Sequence, residues 1–407
     1  MAFDFVIAGA RLAGADGLVD IGVADGRIAA IAPTLEGDFP REEAGGALAF
    51  PGFVESHIHL DKACILDRSH IHEGTLAEAV RETAAAKAAF TTEDVYARAS
   101  HVLEKAILHG TTRLRTFVEI DPRAGFRSFD AILRLKQDYA FAVDLEICAF
   151  AQEGLTQEMQ THAMLDEALR RGADLVGGCP YTDPTPTEHV RLIFDLAEKH
   201  GVAVDFHLDF DLDPVNSGMP AVIDETVARG YGGRVSIGHV TKLSAMTPAD
   251  VIGAATRLAD AGIALTVLPA TDLFLMGRGT EKLVPRGLAP AATLHRHGVV
   301  TSVASNNILN PFTPYGDASL GRMANLYANI AQLSRDEDLA ATFAMVTSDA
   351  ARLLGADYGL VDGAPADIVL IDASDAVSAV REIAPVIAGW KAGRKTFSRP
   401  RAQLLRP

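Results

Sequence analysis

The segment that decides the fold is LAFPGFVESHIH (residues 48–59), an apolar run that ends in two histidines one residue apart. If this run is a β-strand, His57 and His59 point the same way, because side chains alternate along a strand. Seven further β-rich runs follow it along the chain. They are TRLRTFVEI (112–120), DLEICAFAQ (144–152), ADLVGGCP (173–180), VAVDFHLDF (202–210), RVSIGHV (234–240), IALTVLPA (263–270) and VVTSVASNN (299–307).

Amphipathic segments such as HAMLDEALRRG, EHVRLIFDLAEKHG and DVIGAATRLADAG separate the runs, and several end in glycine, as helices often do. Eight β runs, each followed by a helix, predict an α/β fold with a (β/α)8 TIM barrel, and a doubly wound open sheet is the alternative. Both ends of the chain are rich in short β runs. We therefore expect a small β-sandwich formed by residues 1–52 plus 358–407, with the barrel in 53–357.

Composition narrows the class of protein. The formal charge of −16 argues against nucleic-acid binding, which needs clustered Lys and Arg. No apolar run reaches the roughly 18 residues of a membrane helix. Three widely spaced cysteines and an N-terminus without a basic signal-peptide region predict a cytoplasmic protein. A small molecule is the expected partner, and the sequence gives no sign of oligomeric state, so a homo-oligomer stays open.

Histidines recur at the ends of the predicted strands. His57 and His59 end strand one, His207 ends strand five and His239 ends strand six. In a barrel, catalytic residues gather at the carboxyl ends of the strands, and neutral imidazole is a good ligand for Zn or Fe. With only 13 histidines in 407 residues, chance placement is a poor explanation, so we predict a metal site.

Other histidines and a cysteine are weaker candidates for the functional site. A second pair, His70 and His72, lies in a long loop and is a minor candidate for a substrate contact, and Cys64 is expected to be a buried thiol. The remaining histidines considered are expected to be solvated or to cap helices. They are His101, His109, His189, His200, His295 and His297.

The chain resembles the amidohydrolase superfamily, in the branch of bacterial cytosine deaminase and N-isopropylammelide amidohydrolase. The resemblance covers nearly the whole chain. It lies in PGFVESHIHLDK, EGTLAEAV, LHGTTRLRTFVEID, ICAFAQEG, LRRGADLVGG, VDFHLDF, GHVTKLSAM and NPFTPYGDASL. It implies a distorted barrel with a sandwich, and hydrolysis of a C–N bond of a small N-heterocycle that releases an amine or alkylamine.

The resemblance also implies roles for single residues. His57, His59 and His207 look like ligands of one divalent ion, Zn, Fe or Mn. His239 resembles the histidine that polarises the substrate or positions the attacking water. Gln152 is similar to a substrate-binding glutamine, and Lys62 is shared with the triazine branch.

Two positions depart from the family pattern. Asn306 stands where a strand-eight aspartate binds metal and takes a proton; we expect it to ligate through its carbonyl oxygen, with Asn307 beside it contacting substrate. Phe210 replaces a proton-shuttling glutamate. By strand alternation Asp209 is expected to share the face of His207, which makes it a candidate for the substitute acid or base; the alternative is a solvated or helix-capping aspartate. The alternative is a catalytically altered or inactive homologue that binds a small heterocycle without converting it.

Overall fold

The computed structural model describes residues 2–405 of the chain. Its strands, in chain order, are β1 (Phe5–Leu12), β2 (Val19–Ala24), β3 (Arg27–Ala32), β4 (Arg41–Glu43), β5 (Leu48–Phe50), β6 (Phe53–Ile58), β7 (Thr111–Glu119), β8 (Asp144–Ala151), β9 (Leu175–Gly178), β10 (Ala203–Leu208), β11 (Val235–His239), β12 (Ile263–Val267), β13 (Thr301–Val303), β14 (Ile368–Ile371), β15 (Val386–Lys391) and β16 (Arg394–Ser398).

The α-helices of the described residues lie mainly between the strands. They are α1 (Leu76–Lys87), α2 (Thr92–Leu108), α3 (Arg127–Asp138), α4 (Met159–Arg170), α5 (Pro186–His200), α6 (Met219–Ala228), α7 (Pro248–Asp260), α8 (Pro269–Leu275), α9 (Ala291–Arg296), α10 (Leu320–Ile330), α11 (Asp336–Ala344), α12 (Ser348–Leu353) and α13 (Ala376–Glu382). No helix in residues 2–405 has the length and apolar character needed to cross a bilayer.

Strands β6 to β13 form one parallel sheet in sequence order. The sheet closes where Asn306, just beyond β13, pairs with β6: its N–H donates to the His57 carbonyl, and its carbonyl accepts from the His59 N–H. The prediction of a (β/α)8 barrel is confirmed. This closure also brings the strand-eight asparagine beside the two strand-one histidines.

The remaining eight strands form a second sheet, in the order β16-β15-β14-β5-β1-β2-β3, with β4 paired to β1. It folds around its own apolar core, which includes Ile21, Ile368 and Trp390. Both ends of the chain contribute strands, as predicted for the sandwich. The sheet joins the barrel at Phe53, where β6 begins; the exact bounds of the two domains remain our proposal.

Local sequence signals explain where the helices begin and end. The side chains of Thr75, Thr91 and Thr247 accept backbone N–H groups at the starts of α1, α2 and α7, as N-caps do. Helix α5 begins with Pro186 and ends at His200, and the next residue, Gly201, has a φ of 70°, which suits glycine. The buried faces of these helices pack on the barrel strands in one continuous apolar core.

Candidate metal centre and substrate pocket

His57 and His59 both point into the barrel mouth from β6. Both are buried, and the ring of His57 stacks on Phe117 at a centroid distance of 3.9 Å. Gly238, on β11, allows this placement, because a Cβ there would lie 3.1 Å from Cε1 of His57. The strand alternation expected from the sequence therefore holds for this pair.

His207, the last residue but one of β10, completes a cluster with them. Its Nε2 lies 2.6 Å from Nε2 of His57, and one ligand atom from each of the three histidines falls within 4.8 Å of the others. Two imidazole lone pairs so close repel unless a proton or a cation lies between them. The arrangement brings together the three histidines predicted as ligands.

The donors in this cluster suit a divalent ion. Burial, reinforced by neighbouring positive charge, holds the pKa of each of the three histidines well below its ordinary value, so the rings are neutral and offer lone pairs. Oδ1 of Asn306 is buried and has no hydrogen-bond partner among the described residues. An unpaired amide oxygen beside three neutral imidazoles suits a cation. The residues present therefore fit a divalent metal ion.

His239 ends β11 and faces the cluster from the other side. Its Nδ1 lies 2.6 Å from Oδ1 of Asp272, which is fully buried at the start of α8, and its Nε2 lies 3.5 Å from Nδ2 of Asn306. His239 and Asn306 have φ values of 69° and 59°, a left-handed backbone that is uncommon for residues other than glycine. Such conformations concentrate at functional sites, where the surrounding structure holds them.

A small pocket opens beside these groups. The lining residues are His59, Lys62, Leu76, Gln152, Tyr181, His207, Phe210, His239, Thr271, Asn306, Asn307 and Phe312. The structure thus brings together every predicted metal and substrate-binding residue, with His57 packed just behind the lining.

Lys62 and Gln152 form one edge of the pocket. The ammonium of Lys62 donates to Oε1 of Gln152 at 3.3 Å and lies 4.6 Å from the ring centre of Phe312. Nε2 of Gln152 donates to the sulfur of Cys179, which in turn lies 3.4 Å from Nδ1 of His207. The glutamine is therefore fixed with its oxygen towards Lys62 and its nitrogen towards Cys179, which neighbours His207.

A buried ion network supports this edge from below. Glu119, at the end of β7, accepts from Lys62 at 2.5 Å and from Lys87 at 2.9 Å. Burial raises the pKa of Glu119, but the two lysines more than offset this and hold it at about 2. Burial and the charge of Glu119 raise the pKa of Asp61 to about 6. The ammonium of Lys62 is thereby paired with Glu119 and oriented.

Asp209 is not brought to the pocket. β10 ends at Leu208, and Asp209 has a φ of 52°, so strand alternation stops before it. Its carboxylate turns away and accepts from the Ser217 hydroxyl and from the backbone N–H of Gly218. Phe210 lines the pocket instead, 4.2 Å from the ring of His239. The expectation that Asp209 shares the face of His207 is therefore wrong.

His189 also differs from expectation. It was expected to be solvated or capping, but it is fully buried, with Nδ1 3.1 Å from a carboxylate oxygen of Asp183. This pair holds the turn at Pro180–Thr182 against α5. Cys64 is half-buried rather than buried, and neither His70 nor His72 lines the pocket.

Sequence reasoning missed Asp272, Glu119 and Lys87. The first two follow or end barrel strands, so the strand-end rule that located the histidines was a usable signal for them. Lys87 lies at the end of α1, and only its contact with Glu119 across the fold identifies it. Nothing in its local sequence separates it from a solvated helix lysine.

Fold and pocket place the chain among the (β/α)8-barrel enzymes. The model of the amidohydrolase family matches residues 73–397, and the chain belongs to that family. It is 28% identical to the N-isopropylammelide isopropyl amidohydrolase of Pseudomonas sp. (strain ADP), over 96% of both chains. It is also 28% identical to the pterin deaminase of Rhizobium rhizogenes (strain K84 / ATCC BAA-868), over 87% of this chain and 82% of that one.

Among solved structures, the chain is similar to 5-methylcytosine deaminase from Klebsiella pneumoniae liganded with 5-fluorocytosine. The TM-score is 0.94 with 30% identity, and 99% of each chain is covered. The chain is thus a hydrolase that acts on carbon–nitrogen bonds other than peptide bonds. The family match begins after His57 and His59, so this pair rests on the geometry above.

Proposed function

We propose that the protein hydrolyses a C–N bond between a ring carbon of a small N-heterocycle and an exocyclic amine, releasing ammonia or an alkylamine. The observation that carries this proposal is the convergence of His57, His59 and His207 beside a small pocket with His239 opposite. The names of the relatives, which include an ammelide amidohydrolase, a pterin deaminase and a methylcytosine deaminase, support the substrate class.

His57, His59 and His207 would hold one divalent ion, Zn, Fe or Mn, with Oδ1 of Asn306 as a further donor. A bound ion of this kind lowers the pKa of water towards about 7 and so supplies hydroxide at neutral pH. The chain contributes a shaped site around it, in which Phe210, Phe312 and Leu76 supply the apolar part of the lining.

Recognition of the ring falls to Lys62, Gln152 and Asn307. The Lys62 ammonium offers only donors, whereas an amide offers both donors and an acceptor. A ring carbonyl next to a ring N–H matches this edge, with the carbonyl accepting from Lys62 and the N–H donating to an amide oxygen. We therefore propose an oxo-substituted aminoheterocycle, such as an aminopyrimidinone or aminotriazinone, as the substrate.

Proton handling is assigned to His239, whose imidazole faces the cluster. In its neutral form it takes a proton from the attacking water, and as imidazolium it gives that proton to the departing nitrogen. The two carboxylates expected from the family pattern are absent at Asn306 and Phe210, and Asp209 points elsewhere. A residue with both roles is therefore needed, and an imidazole can both accept and donate a proton.

The same two substitutions favour a second candidate, a non-catalytic protein that binds a small heterocycle. An amide at position 306 is a weaker ligand than a carboxylate and takes no proton, and Phe210 is apolar. Such a protein would bind the ring through Lys62 and Gln152 without converting it. The two candidates differ in metal content and in turnover.

The test combines metal analysis with a substrate screen. Protein expressed with added Zn, Fe or Mn is expected to hold about one equivalent per chain, and His207→Gln is expected to lose most of it. Metal-loaded protein is then screened against amino- and alkylamino-heterocycles for release of ammonia or alkylamine. His297→Gln, at an exposed helix end, is the matched control and should behave as wild type.

Absence of bound metal under all three conditions would overturn the hydrolase. Stabilisation by a heterocycle without amine release, in protein that does hold metal, would favour the binder. We include a cytoplasmic location in the proposal, supported by the three free cysteines, Cys64, Cys148 and Cys179. Oligomeric state is left to solution measurement.

A further inference from the structure

The closest carboxylate contact of His239 is with Asp272. Oδ1 of Asp272 lies 2.6 Å from Nδ1 of His239, and both side chains are buried. The other carboxylate oxygen accepts the backbone N–H of Leu268 at 3.3 Å. The carboxylate is therefore held by its own loop and is aimed at one ring nitrogen.

This contact selects one form of the imidazole. A carboxylate only accepts hydrogen bonds, so Nδ1 of His239 carries the hydrogen, and Nε2 keeps its lone pair. Nε2 is the nitrogen on the pocket side, 3.5 Å from the Asn306 amide nitrogen. The neutral ring is thus prepared to accept a proton from a molecule in the pocket.

No competing base lines the pocket among the described residues. The titratable side chains around it are His59, Lys62, Tyr181, His207 and His239. His59 and His207 belong to the proposed ligand cluster, and Lys62 is paired with Glu119. Burial raises the pKa of Tyr181 well above its usual value, so its hydroxyl stays protonated.

We infer that Asp272 is the positioning residue that makes His239 the base of the reaction, in the place of the carboxylate missing at Asn306. This inference rests on the proposed function. As the water oxygen bonds to the ring carbon, a water proton passes to Nε2, and the C=N electron pair moves onto the ring nitrogen. Asp272 stabilises the resulting imidazolium. The proton then passes to the exocyclic nitrogen, which leaves with the C–N electron pair as the amine, while the pair on the ring nitrogen re-forms the C=N bond.

The test uses Asp272→Asn, which keeps the shape of the side chain but donates to Nδ1 and so favours a hydrogen on Nε2. Two-bond ¹H–¹⁵N correlation spectra of the metal-free protein report which nitrogen of His239 carries hydrogen. We expect hydrogen on Nδ1 in the wild type and on Nε2 in the variant. On the substrate found by the screen, kcat should fall by roughly 10³–10⁴ with KM changed by less than about threefold.

Asp166→Asn is the matched control, because Asp166 contacts His200 at 2.6 Å on the outer helices, far from the pocket. It should leave the His239 spectrum and kcat as in the wild type. Hydrogen on Nε2 of His239 in the wild type overturns the inference, as does an unchanged kcat in Asp272→Asn. The wild-type spectrum tests the inference even if no substrate is found or Asp272→Asn does not fold. Failure of this inference is therefore distinguishable from failure of the proposed function.

Discussion

The ammonium group of Lys87, at the end of α1, lies 2.9 Å from Oε2 of Glu119 at the end of β7. It also contacts Asp121 at 2.6 Å and Glu153 at 2.7 Å. One buried cation thus contacts three carboxylates beneath the edge of the pocket. One of them, Glu119, also accepts a hydrogen bond from Lys62 at that edge. The contact between Lys87 and Glu119 therefore links helix α1 to strand β7.

Replacement of Lys87 by methionine should destabilise the protein strongly. The change keeps most of the side-chain volume but leaves buried carboxylates without their shared cation, which typically costs about 3–5 kcal/mol. The free energy of unfolding from urea titrations measures this. Lys136→Met is the control, because Lys136 pairs with Asp174 at the surface and such a pair is worth less than about 1 kcal/mol. Equal losses in the two variants would contradict the network.

Glu119 should make stability depend on pH in the acid range. Its pKa is about 2 in the folded protein against an ordinary 4.5, so its contribution is fully present above pH 4.5 and is lost as pH falls from 4.5 towards 2. Wild type should therefore exceed Glu119→Gln in free energy of unfolding by on the order of 3 kcal/mol near neutral pH, and by less at each step below about pH 4.5.

Urea titrations at a series of pH values between about 7 and 3.5 check this slope. Glu337→Gln, at an exposed position, is the control and should follow the wild-type curve. A difference between wild type and Glu119→Gln that stays constant with pH would mean that the carboxylate contributes through packing and not through its charge.

The barrel and its three-histidine cluster follow from sequence because each depends on a local regularity. Alternation along one strand aims His57 and His59, and the strand-end rule adds His207 and His239. The strand-end rule also signals Asp272, but it does not give its partner His239, which comes from another strand, and it gives no signal for Lys87 at the end of a helix. Their roles arise from contacts of 2.6 Å and 2.9 Å that no local pattern encodes.

Asp209 shows where prediction from strand alternation fails. Alternation is valid only while the backbone stays extended, and here the left-handed residue comes directly after the last strand residue. Because Asp209 has a φ of 52°, its carboxylate contacts Ser217, and the next residue, Phe210, lines the pocket. Aspartate tolerates this conformation better than most residues, but nothing in the sequence marks the position as one that adopts it.

Asn306→Asp should strengthen metal retention. The change adds a negative charge next to the three-histidine cluster, where Oδ1 of the asparagine has no partner among the described residues. We expect the dissociation constant for zinc to fall by about tenfold or more, equivalent to about 1.4 kcal/mol. Competition with a chromophoric chelator measures it. Asn307→Asp adds the same charge at the neighbouring lining position, and an equal effect there would show general attraction rather than ligation.

Gly178→Ala should destabilise the protein through a steric clash in the barrel wall. A Cβ at this position in β9 would overlap Nε2 of His189 and lie 3.3 Å from the carbonyl oxygen of Ala151. The histidine ring is fully buried and is held by Asp183, so it has no space to yield. Overpacking of this kind costs typically about 1–3 kcal/mol, which urea unfolding would resolve. Gly253→Ala, at an open position in α7, is the control and should stabilise by about 0.5–1 kcal/mol. Stabilisation by Gly178→Ala as well would mean that His189 moves freely and does not hold the turn that carries Tyr181 to the pocket.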